Sequence, residues 1–268
     1  MKRFSYLFLL ALLTIAGCNM EKDIDIVLPP HEPQLVVECY LEDGFPFEAT
    51  VLETSSYFDT PATPVVPSAQ VYITFRDQRI KLDHNPGFNN RTGRYYTHMA
   101  TTVMKAVPGD TYALEVTDGK GRKVTGLTTI LPKVPIQKVE WKFNEKDKAL
   151  ILTTFQDDPG KANFYRYMTH RDSLEKGSER EFVTSDDLTN GKETTYGSGY
   201  DYEEGDTLIL SLYHIEKQYY NFLRSVNDAQ SANGNPFAQP AKVKSTVQGG
   251  LGVFTNLAYD RNTVIIKR

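Results

Sequence analysis

From residue 35 onward, apolar side chains recur at every second position through most of the chain, which is the period of strands buried on one face. Val71, Ile73 and Phe75 alternate with Tyr72 and Thr74, and Tyr112, Leu114 and Val116 mark one face of a strand over 111–117. Asp118-Gly119-Lys120-Gly121 reads as a hairpin turn into a strand over 122–129. Val139, Trp141 and Phe143 alternate with Lys138, Glu140 and Lys142, and a polar turn at 144–148 leads to a strand over 150–155. Leu35, Val37, Cys39 and Leu41 also share one face, which assigns the Cys39 thiol to packing rather than to chemistry. One polar face per strand implies antiparallel sheets, each packed on one side. The period changes once. Ile215, Tyr219, Phe222, Leu223 and Val226 fall on one face of a helix near 215–230, stopped by Asn233-Gly234 and Pro236. Residues 171–205 are polar and read as short strands and long loops.

The first residues follow another logic. Lys2 and Arg3 precede an apolar stretch from Phe4 to Ala16, too short for a bilayer that needs about 20 residues. It fits a secretory leader over 1–17. The leader ends in Ile15-Ala16-Gly17-Cys18, which resembles the bacterial lipobox, so Cys18 is expected to carry the lipid that attaches the chain to a membrane. Multiple acyl chains make such anchoring stable where one is marginal. The acidic, Lys-containing run from Asn19 to Asp25 resembles the surface-export signal of some Gram-negative lipoproteins. Residues 18–33, with Pro29, Pro30 and Pro33, read as a tether that extends at ~3.1 Å per residue to about 45 Å.

The strand pattern predicts a mainly β fold: two β-sandwich domains in series, immunoglobulin- or fibronectin-III-like, the second with one amphipathic helix. Leu131-Pro132-Lys133-Val134-Pro135-Ile136 interrupts the alternation and places a linker at 131–136, between a domain over 34–130 and another over 137–268. Gly109-Asp110-Thr111 and Gly205-Asp206-Thr207 each precede a strand of the same inward phase, 96 positions apart. The run Pro108-Gly109-Asp110-Thr111-Tyr112 resembles the approach to the tyrosine-corner strand of fibronectin-III-like sandwiches.

With 268 residues and a net charge of −4, the chain lacks the basic surface of a nucleic-acid binder, and two cysteines exclude a disulfide scaffold. Five scattered histidines form no zinc motif, and Gly197-Ser198-Gly199 lacks the spacing of a nucleophile elbow. The acidic run 201–206 lacks the calcium ligand ladder and reads as a solvated turn; Asp157 and Asp158 are adjacent and expected to point apart. Catalytic residues, metal and cofactor are therefore expected to be none. Two segments combine aromatics with hydrogen-bonding groups in the manner of binding surfaces: Tyr57-Phe58, and the loop His84–Arg91 with Phe88, Asn89, Asn90 and Arg91.

Asn235-Pro236-Phe237, Gly249-Gly250-Leu251-Gly252-Val253-Phe254 after Tyr219-Tyr220-Asn221-Phe222, the stretch 108–116 and the opening Leu35-Val36-Val37-Glu38 together resemble the bacterial lipoprotein family called domain of unknown function 4249. The resemblance implies an outer-membrane or cell-surface lipoprotein acting beside a TonB-dependent transporter, and it brings no catalytic residues with it. Glycines 249, 250 and 252 lead into a strand rather than a helix, so they read as a bulge or a close backbone approach, not a phosphate cradle. The expected function is non-enzymatic nutrient capture or scaffolding at the outer membrane. An adhesin or envelope-structural module is the alternative, and a carboxylate-based hydrolase the third.

Overall fold

The computed structural model describes residues 31–56, 64–233, 238–239 and 241–268. The leader, Cys18, most of the tether, Tyr57, Phe58 and Asn235-Pro236-Phe237 lie outside the described residues. Strands β1 (Leu35–Glu42) and β2 (Pro46–Glu53) form an antiparallel pair with Val37 opposite Val51, and β2 pairs with β5 (Arg94–Val103). A second group contains β3 (Gln70–Phe75), β6 (Thr111–Thr117) and β7 (Lys123–Thr129), with the short β14 (Val247–Gln248) at its edge. Strand β4 (Gln78–Asn89) belongs to both groups. Its first residues pair with β3 and those from Asp83 on with β5, and a bulge between His84 and Gly87 lets one strand change partners. Alternation then does what period two requires: Leu35, Val37, Cys39 and Val51 meet Val71, Ile73, Leu114, Val116 and Val124 in one core.

In the other half, β8 (Ile136–Phe143), β9 (Ala149–Gln156) and β12 (Glu193–Gly197) form a sheet in the order β12-β9-β8. Strands β10 (Phe164–Arg171), β11 (Arg180–Ser185) and β13 (Thr207–Ile215) run β11-β10-β13 and continue into β15 (Leu251–Ile265). Phe155, Tyr165, Tyr167 and Leu212 fill one core here, and Ile151, Tyr202, Leu208, Leu210 and Ile266 a second.

Strand β15 departs most from the sequence expectation. Leu251–Leu257 lies parallel to β1, with Gly252 opposite Val37, and Ala258 onward lies antiparallel to β13. Residues assigned by sequence to the region 137–268 thus complete the sheet that begins at Leu35. Twelve strands follow one hydrogen-bonded order, β11-β10-β13-β15-β1-β2-β5-β4-β3-β6-β7-β14. Residues 131–135 carry no regular element, yet the chain does not part there: Pro33–Arg268 is one compact unit. The glycines explain why β15 can lie so close. A Cβ on Gly250 would fall 2.6 Å from the Leu35 carbonyl oxygen, and one on Gly252 would collide with that of Val37. Gly249 and Gly252 also hold φ of +80° and +122°, conformations that side chains disfavour.

The 96-residue echo has the same geometry at both sites. The Gly109 amide donates to the Ile130 carbonyl (2.8 Å) and the Ile130 amide to Asp110 (2.8 Å); Gly205 and Ile266 repeat this at 2.9 Å, with Ile266 and Asp206 at 3.0 Å. Each turn therefore closes on the buried isoleucine just past the end of a neighbouring strand. The Tyr112 hydroxyl donates to the Lys105 carbonyl seven residues upstream (3.1 Å), the bond that defines a tyrosine corner.

Helix α1 (Lys217–Asn233) covers the junction. Tyr219 is buried against Tyr40 of β1, with Phe164, Met168 and Leu257 in the same cluster. Just before the helix, Glu216 accepts from the Thr128 hydroxyl (2.5 Å) and the Thr129 amide (3.0 Å) of β7. Thr128 in turn bonds the Asn256 side chain of β15 (2.8 Å). Buried polar groups need partners, and these are drawn from both halves of the chain.

Candidate functional site

The segment His84–Arg91 is not the long loop its composition suggests. Residues through Asn89 are strand, and the turn is confined to the next few positions before β5. Pro86 and Gly87 sit at the bulge, and the Tyr96 ring lies over Gly87 where any Cβ would collide with it. Strand alternation then separates the expected site residues. Phe88 pairs with Tyr95 across the hairpin, their rings 4.7 Å apart, and the two are 45% and 76% exposed. With Leu52, Val65, Pro86 and Tyr96 they line an open, largely apolar depression.

Asn89 is structural. Its side chain donates to Glu48 (2.8 Å) and accepts from the amides of Arg91 (3.1 Å) and Thr92 (3.3 Å), an Asx turn that closes the hairpin. Asn90 is exposed at the turn. Arg91 reaches the other way. Its guanidinium stacks on Phe45 at 3.5 Å and pairs with Glu42 at 2.5 Å. Glu42 also accepts from the Tyr259 hydroxyl of β15 (2.6 Å). Burial, and next the bond to Glu42, push the Tyr259 phenol up to about 12.

Arg91 opens onto a shallow groove between the hairpin and the β10–β13–β15 sheet. Arg94, Arg166, His170, Tyr213 and Arg261 line it too. Arg94 stacks on Tyr40 (3.8 Å). Arg166 is 8% exposed, is held by Glu181 (2.8 Å) and donates to the Tyr219 hydroxyl (3.0 Å). Arg261 donates to Ser211 (2.8 Å) and the Tyr213 hydroxyl (3.0 Å). Burial, and then the Arg261 charge, hold His170 below its ordinary value. Sequence reading missed this cluster because its members come from strands up to 170 positions apart. The available signal was Arg166 itself, a charge inside the aromatic run Phe164-Tyr165-Arg166-Tyr167.

The remaining candidates are tied into the framework. Asp157 is buried, accepting from the Gly191 amide (2.7 Å) and the Tyr165 hydroxyl, while Asp158 points outward and caps Gly160 (3.0 Å). Asp201 is bound by Arg180, and Asp206 by Arg171 at 2.5 Å. Ser198 accepts from the Ile151 amide (2.8 Å) and donates to the Gly199 carbonyl (2.7 Å). Among the described residues, no three metal-ligating side chains converge, and no helix is long and apolar enough to cross a membrane.

A family model described as domain of unknown function (DUF4249) matches residues 21–263. Among curated proteins none matches significantly. Three solved structures show a distant likeness. A cytokine receptor complex is 11% identical over 69% of this chain and 86% of that one, with a TM-score of 0.26. The FN1–FN3 domains of chicken CNTN1 are 12% identical over 68% and 60%, with a TM-score of 0.27. A DUF4785 family protein from Legionella pneumophila is 12% identical over 66% and 52%, with a TM-score of 0.24. At such scores the strand order and register above describe the fold.

Proposed function

We propose, from the premise that this chain belongs to the DUF4249 family, that it is a non-enzymatic outer-membrane lipoprotein, anchored through Cys18, that docks on a TonB-dependent transporter and takes part in nutrient capture. In this reading its body is two fibronectin-III-like sandwiches that share β15. The observation that carries the docking role is the Phe88–Tyr95 pair. Two large rings stand exposed on a hairpin of regular strands, beside Val65 and Pro86. Aromatic side chains in an open apolar patch are the usual anchors of protein interfaces, since they offer contact area at low entropic cost. The lipobox and tether supply the membrane address, and the side chains that could have been catalytic serve the framework.

Crosslinking in intact cells followed by purification from outer membranes tests this. The native chain is expected to recover a barrel transporter in stoichiometric amount. The double variant Phe88→Ser, Tyr95→Ser is expected to lose that partner by about tenfold or more, the scale of a two-residue hot spot. Its thermal midpoint should stay near the native one, because both rings are exposed. Recovery alone, recovery with matrix proteins only, or undiminished recovery with the variant would contradict the proposal. Matrix proteins would favour the adhesin.

A further inference from the structure

We propose that the groove lined by Arg91, Arg94, Arg166, Arg261 and His170 is a binding site for an oxyanion, the phosphate or carboxylate group of a small ligand. This does not rest on the docking role of Phe88 and Tyr95, neither of which lines the groove.

The first argument is charge balance. Four guanidinium groups line one groove, and Glu42 is the one carboxylate that lines it with them. Glu42 is already committed to Arg91 and the Tyr259 hydroxyl, and Glu181 to Arg166. Among the described residues no carboxylate pairs with Arg94 or Arg261. Arg94 faces the Tyr40 ring, while Arg261 has only the neutral Ser211 and Tyr213 hydroxyls and the Tyr259 ring, at 4.4 Å. In a chain of net charge −4, two half-buried arginines in no ion pair among the described residues, beside two that are paired, leave the groove itself with more positive than negative groups. Guanidinium forks suit oxyanions because their parallel N–H groups match two oxygens at once.

The second argument is a group with nothing to bond. His170 is 4% exposed, and its buried Nδ1 has no hydrogen-bond partner. Such orphans are rare because each carries a desolvation cost, and this one belongs to a side chain that lines the groove. The third is support. Tyr213 and Tyr219 hydroxyls, Ser211 and Glu181 fix two of the guanidiniums from behind, so these heads are positioned before a ligand arrives. The groove takes Arg91 and Arg94 from the hairpin, Arg166 and His170 from β10, and Arg261 from β15. Past Arg94 lies a second groove that shares Arg91, Thr92 and Leu257 with the first and sets the Tyr40, Phe45 and Tyr96 rings beside the carboxylates of Glu38 and Glu48.

Calorimetric titration of the full chain in detergent with inorganic phosphate, and separately with citrate, at fixed ionic strength tests the site. Saturable one-to-one binding of at least one probe is expected. Arg94→Gln, whose side chain only stacks on Tyr40, and Arg261→Gln should each weaken it by about tenfold or more, the scale of one charge-assisted bond. Arg76→Gln, which removes an exposed partner of Asp110 away from the groove, should leave it unchanged. If Arg261→Gln fails to fold, Arg94→Gln still decides. Vesicles of phosphatidylglycerol in phosphatidylcholine separate the sources: competition with the probe identifies a lipid headgroup, and lack of competition a soluble ligand, the oxyanion site standing in both. Absence of saturable binding, or binding that Arg94→Gln and Arg76→Gln affect alike, would overturn it.

Discussion

Replacing Gly252 by alanine is expected to cost about 4 kcal/mol or more, a large share of a domain's usual stability. Two separate causes add at this position. The backbone holds φ at +122°, which an L residue adopts only under strain, and the new methyl would be driven into the Val37 peptide, whose carbonyl carbon and nitrogen lie 2.8 and 2.9 Å from it. Neither neighbour can retreat, because Val37 is fully buried and paired on its other side with Val51. Gly109 is the matched control. Its φ is +93°, but a methyl there meets open space, so Gly109→Ala should lose only about 1 kcal/mol of conformational preference. Urea midpoints of the two variants check this; equal losses would remove the close approach of β15 to β1 as the cause.

Acid should weaken the fold through His98 before the carboxylates do so. His98 is fully buried, with Nδ1 2.9 Å from the Thr97 hydroxyl and Nε2 without a partner, and its ring is 5.1 Å from that of His84. Burial first, and the neighbouring His84 second, bring it down from 6.5 to about 4. Below pH 6.5 the unfolded chain therefore binds a proton that the folded chain refuses. Stability falls as pH drops from about 6.5 to about 4, where the folded side chain also protonates and the loss levels off. The full window corresponds to roughly 3 kcal/mol. Urea unfolding at pH 7 and pH 4.5 measures it, with His98→Leu as reference: the native chain should lose clearly more stability over this interval than the variant. Parallel losses would assign the acid sensitivity to other groups.

How much of this was legible depends on the range over which each feature is encoded. The strands at 70–75 and 111–117 fall where alternation put them, because side-chain period and burial are both local. Cys39 follows for the same reason and is fully buried, its thiol pushed far up by that burial. The Gly249–Gly252 run was readable as a bulge or a close approach, since glycines leading into a strand free the backbone for either. What the glycines approach was not readable. Pairing of residue 252 with residue 37 is a contact across the whole chain, and no local pattern carries it. Pro86-Gly87 misled in the opposite sense: two turn-forming residues mark a bulge inside β4 rather than its end. Of the proposed binding residues, Phe88 is exposed and Arg91 lines the groove. Asn89 turned out to be the bracket of the hairpin, a role set by amides two and three positions ahead of it.

The shared strand is the centre of this account, because it makes one body of two halves and thereby holds a groove built from both. Its most direct test is unfolding seen from each half at once. Trp141, the single tryptophan, sits on β8, and Cys39 on β1 becomes the sole thiol in a Cys18→Ser chain. Trp141 fluorescence and Cys39 labelling followed through one urea titration should give a single coincident transition with a common midpoint. Two separated transitions, one per probe, would show that the halves fold independently and would contradict the shared strand as the element that joins them.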